Sequence, residues 1–114
     1  MSEKLIELSG ALAAISNSDF QTAITKLAEL KTRFPDNHDI DYYLGVSYNH
    51  SDQFDEAIAS FTIYLKAKPD AAGGHAGMGF AYFQKENFEK ALECYERAKD
   101  LNPDVETLFY LAEI

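Results

Sequence analysis

Three Pro-Asp steps set the beat of this chain. Pro35, Pro69 and Pro103 are its only prolines; each precedes an aspartate, and they stand 34 residues apart twice over. Proline lacks a backbone donor and disfavours helical geometry at the residue before it, so each step should end a helix. Other residues keep the same interval: Phe20, Phe54 and Phe88, then Ala23, Ala57 and Ala91, then Gly45 with Gly79 and Tyr48 with Tyr82. Self-similarity at a fixed period of this size means one supersecondary unit stacked on the next.

Helical spacing fills the intervals. Residues from about 4 to 16, rich in Leu and Ala, read as a first helix, and the polar run Ser16-Asn17-Ser18-Asp19 closes it. Asp19 suits the N-cap of a second helix over about 20–33. There Ala23, Ile24, Leu27 and Leu30 recur at three- and four-residue steps and make one buried stripe. The logic repeats at roughly 38–50 with 54–67, and at roughly 71–84 with 88–101. Pairs such as Glu29–Arg33, Glu86–Lys90 and Glu93–Arg97 are four apart, each worth about 0.2–0.5 kcal/mol on an exposed face. Gly45 and Gly79 fall inside helices, where glycine costs about 1 kcal/mol relative to alanine and so needs a packing reason. Close approach of the paired helix supplies one, with Ala57 and Ala91 as the expected opposing surface.

The second unit reads Leu44-Gly45-x-x-Tyr48, Ala57-x-x-x-Phe61 and Pro69; the third reads Met78-Gly79-x-x-Tyr82, Ala91-x-x-x-Tyr95 and Pro103. This pattern resembles the tetratricopeptide repeat. The resemblance implies an all-α superhelix of three helix-turn-helix repeats at about 4–37, 38–71 and 72–105, in one domain. A partial fourth unit at 106–114 would add a short C-terminal helix. The family's first helices line a concave groove that takes extended peptides or helices. Carried onto this chain, the groove residues are Asp39, Tyr42, Val46 and Asn49 in the second unit, and Gly73, Ala76, Phe80 and Phe83 in the third. Helical spacing by itself sets Tyr42, Val46 and Asn49 apart from Leu44 and Tyr48.

An apolar strip of that kind marks an interaction surface. The plainer alternative packs Phe83 at the turn and Phe80 against the fourth helix. Gly73 and Gly77, four apart, would leave an open floor for a partner's backbone. One subclass of the family holds a C-terminal carboxylate in a Lys/Asn/Arg clamp; the matching positions here are Leu8, Leu12, Tyr43, Gly73 and Gly77, none able to hold a carboxylate. The implied partner is therefore an apolar or amphipathic protein segment. In the first unit a strict 34-residue register turns Leu5, Leu8, Leu12 and Ile15 toward the groove. A turn one residue shorter would make Leu8, Ala11, Leu12 and Ile15 core instead. Val105, Leu108, Phe109, Leu111 and Ile114 make the last helix apolar nearly all round. Either the chain is cut from a longer protein, or that helix meets another chain and builds a homodimer.

Composition narrows the remaining classes. Nineteen acidic residues against ten basic ones leave a net charge of −9, which repels phosphate backbones and anionic membranes. The acidity permits a cationic partner and also serves solubility. One cysteine, Cys94, excludes an intrachain disulfide and fits a reducing compartment, and no basic segment leads into a long apolar run. The expected location is cytoplasmic, where the sequon Asn49-His50-Ser51 is a chance match. His38, His50 and His75 lack metal-ligand spacing, Gly73–Gly79 lacks the Gly-Lys-Ser/Thr ending of a phosphate loop, and no nucleophile–base constellation can be built. No cofactor and no enzymatic activity are expected.

Overall fold

In a computed structural model the described residues are 3–102, with side chains from residue 8 onward. They form six helices: α1 (Glu3–Ser16), α2 (Phe20–Arg33), α3 (Asp39–His50), α4 (Phe54–Ala67), α5 (Ala72–Gln84) and α6 (Phe88–Leu101). The expected starts at 38 and 71 are the cap residues His38 and Ala71, one place before the helices proper. The fourth unit, and with it Val105, Leu108, Phe109 and Leu111, lies outside the described residues.

The turns inside each pair are built alike. Ser18, Asp52 and Glu86 take the left-handed conformation, with φ of 59°, 60° and 64°. A chain leaving an α-helix often reverses through one such residue, usually glycine or asparagine. Here serine, aspartate and glutamate fill that place, again 34 residues apart. The first unit therefore keeps the strict register. Ala11 and Ala14 are buried at the places held by Gly45 and Tyr48 one unit later. Leu8 and Ile15 are half-buried and pack against the same core.

Each helix packs on its neighbours in sequence, and α3 also meets α5 directly. The result is an elongated body of 42 × 24 × 22 Å. One core cluster joins Ala23, Leu27 and Leu30 of α2 to Ile40 and Leu44 of α3. A second centres on Phe61 of α4, fully buried with Ala57 and Ala81. Burying a side chain of this size contributes about 1.5–3 kcal/mol.

Gly45 and Gly79 each face the second helix of their own pair. A Cβ on Gly45 would stand 2.6 Å from Phe61 Cζ, and one on Gly77 would meet the same ring more closely still. A Cβ on Gly79 would sit 3.0 Å from Tyr95. The atoms nearest to these glycines belong to the Phe61 and Tyr95 rings, with Cys94 Cβ also beside Gly79. Glycine makes room for a large buried side chain, and the packing offsets its helical cost.

Charged groups mostly tie successive elements together. Lys31 Nζ lies 2.7 Å from Oδ1 of the buried Asp41, joining α2 to α3, while His38 Nδ1 is 3.4 Å from the other oxygen. Lys68 reaches Asp39 at 2.6 Å, Lys85 reaches Asp55, and Arg97 reaches Asp70 at 3.2 Å. Arg97 therefore crosses to the preceding turn, and Lys90 lies 5.4 Å from the centroid of the Tyr82 ring. Exposed to solvent, such pairs add little to stability.

Candidate functional site

The site expected from the sequence falls on α3 and α5, the first helices of the second and third pairs. Helix α5 contains four glycines and no Asp, Glu, Lys or Arg. Its small side chains let aromatic rings from α3 and α4 come up against its backbone. Tyr42 is half-buried, and its ring fills the space beside Gly73, where a Cβ would stand 3.1 Å from the Tyr42 hydroxyl. Ring centroids of Phe61 and Tyr64 lie 5.9 and 5.1 Å from that of Tyr42, at tilted or edge-on angles that aromatic pairs favour.

Asn49 departs from its expected role. It is 8% exposed, and its Nδ2 donates to the Gly77 carbonyl at 3.0 Å, tying α3 to α5. A buried amide must find a partner, and here it is that backbone oxygen. Its Oδ1 has no hydrogen-bond partner, as is also true of Ser47 Oγ nearby on α3. Gly73 is exposed with the Tyr42 ring beside it, while Gly77 is half-buried with the Phe61 ring against it.

The other expected residues keep partly exposed surfaces. Val46 packs beside Phe61, and Ala76 is half-buried. Phe80 meets the Phe54 ring edge-on at 6.2 Å. Phe83 meets Phe88 at 5.4 Å across the α5–α6 turn, so its plainer packing role is realised. Phe88 itself is 46% exposed. Asp39 is exposed at the start of α3 and paired with Lys68; the hydrogen bond to that carboxylate, and then its charge, holds the Lys68 ammonium above its usual pKa.

From residue 8 onward α1, α3 and α5 carry no Lys or Arg. Leu8, Leu12 and Tyr43, which stand at three of the clamp positions, are half-buried. Among the described side chains no cation of these helices is placed there to receive a carboxylate. The aromatic partners Phe54, Phe61, Tyr64 and Phe88 were not anticipated around this row, although the 34-residue recurrence of phenylalanine at 20, 54 and 88 was visible. The first of these, Phe20, stacks flat on His50 at 4.5 Å.

Burial, with a smaller push from Glu93, raises the Cys94 thiol to about 11, so it is protonated and unreactive at neutral pH. His75 Nε2 donates to the Pro69 carbonyl at 2.8 Å, closing the α4–α5 turn. Among the described residues no three His, Cys, Asp or Glu side chains cluster as metal ligands would. No described helix is long and apolar enough to cross a membrane.

Residues 8–72 match one family model described as "Tetratricopeptide repeat", and residues 72–105 match a second of the same description. The chain belongs to the tetratricopeptide repeat family. It is 29% identical over 93 residues to the small glutamine-rich tetratricopeptide repeat-containing protein 2 of Saccharomyces cerevisiae, covering 80% of this chain and 26% of that protein. It is 34% identical over 62 residues to the human RANBP2-like and GRIP domain-containing protein 1, covering 54% of this chain and 4% of that one. The chain thus spans about a quarter of the first relative's length and far less of the second's. Among solved structures, MamA 41-end from Desulfovibrio magneticus RS-1 superposes with a TM-score of 0.90 at 23% identity, over 96% of this chain and 62% of that one. The first TPR of Spaghetti (RPAP3), solved bound to an HSP90 peptide SRMEEVD, gives 0.92 at 18% identity, over 97% of this chain and 89% of that one. Both likenesses establish the all-α superhelical fold.

Proposed function

We propose that the chain is a non-catalytic interaction module holding an apolar or amphipathic protein segment against the inner helices α3 and α5. The carrying observation is the row Tyr42, Val46, Ala76 and Phe80, partly exposed on two helices that bear no Lys or Arg. A strip of apolar and aromatic surface on a rigid scaffold is the usual anchor for such a segment. The peptide held by the Spaghetti domain supports the idea that this fold takes short segments. That peptide is acidic, however, and the inner helices here lack the cations to receive it.

Selection from a random peptide display library tests the reading. The enriched sequences should be apolar-rich, and Ala76→Gln and Phe80→Gln should each weaken their binding at least about tenfold. Circular dichroism must show both variants folded. Enriched peptides that bind both folded variants as well as they bind the parent would overturn it.

A further inference from the structure

We propose that the segment bound on the α3–α5 row is cationic as well as apolar, an amphipathic helix whose polar face carries Lys or Arg. This rests on the preceding reading and specifies its partner. The evidence is how charge is distributed around the row. The inner helices contribute only two carboxylates, Asp39 and the buried Asp41, and each already has a lysine. The turns that border the row carry cations, yet those are engaged: Lys68 with Asp39 and Lys85 with Asp55. Of the acids in the four turns that flank α3 and α5, Asp70 is held by Arg97, whereas Asp36, Asp52 and Glu86 are exposed and form no ion pair among the described residues.

The surface offered to a ligand is therefore an uncharged apolar strip between turns with an excess of free carboxylate. Negative rims favour ammonium or guanidinium groups, and they repel a carboxylate-bearing segment. Selectivity here works by attraction of one charge and rejection of the other. A second copy of this chain, itself at −9, fits the rims poorly.

Three labelled 14-residue helical peptides with identical leucine positions, and Lys, Gln or Glu on the polar face, provide the test by fluorescence anisotropy. In 50 mM salt the Lys peptide should bind about tenfold tighter than the Gln peptide and the Glu peptide weakest, with the spread narrowing in 0.5 M salt. Ala76→Gln and Phe80→Gln should weaken the Lys and Gln peptides alike. Equal binding of the Lys and Gln peptides, lost in the variants, would overturn the charge preference and leave the apolar row standing. Lys-peptide binding that survives both folded variants would overturn it too, since the attraction would then lie elsewhere. Failure of all three peptides to bind would overturn both readings.

Discussion

Phe61 shows how one residue governs its neighbourhood. It is fully buried on α4, and its ring lies against the backbone of α3 at Gly45 and of α5 at Gly77. Gly45→Ala would bring a methyl carbon to 2.6 Å from Cζ of a ring that has no free space to retreat into. Alanine would ordinarily gain about 1 kcal/mol over glycine in a helix. Overpacking outweighs that, and a net loss of about 1–3 kcal/mol should appear as a lower urea midpoint at an unchanged slope. A midpoint at or above the parent's would show that the ring moves aside. The glycines were readable in the sequence as sites of close approach. What approaches them was not, because a missing side chain carries no record of the group that fills its place. For that reason Gly77 read as open floor, whereas the buried Phe61 ring lies against it, and Tyr42 stands beside the exposed Gly73.

Helices themselves were far more legible. The boundaries expected from proline, polar runs and apolar spacing agree with the structure to within about one residue, since each signal acts locally on the backbone. Caps repeat on the same beat, but not with the same chemistry. Asp19 accepts from the Thr22 amide at 3.3 Å, and Asn87 accepts from the Lys90 amide at 3.4 Å. The equivalent residue before α4 is Gln53, which makes no side-chain cap. Its longer chain is poorly suited to the tight ring an N-cap closes. Gln53→Asn should therefore stabilise the protein by about 0.5–1 kcal/mol, seen as a higher urea midpoint. No change, or a loss, would show that the first turn of α4 is already satisfied. Asparagine is chosen over aspartate because Asp52, Asp55 and Glu56 crowd the same turn with negative charge.

At the scale of the whole molecule, stacking decides what is shared and what stands alone. Solenoids behave as a line of units coupled only to their neighbours, so stability accumulates unit by unit. The fold of this chain followed from its 34-residue period because such coupling is short-range and repeats. The surface row was only half legible, since it depends on which rings cross between units. Tyr42 at Gly73 and Asn49 at Gly77 are both contacts between pairs, at separations no single-helix pattern records. Phe61 belongs to two pairs at once, and that has a consequence for how the chain comes apart. Neither the second pair nor the third can loosen without vacating the other's packing. The joint between them therefore opens as one event, and any substitution that weakens it lowers the melting of both units together.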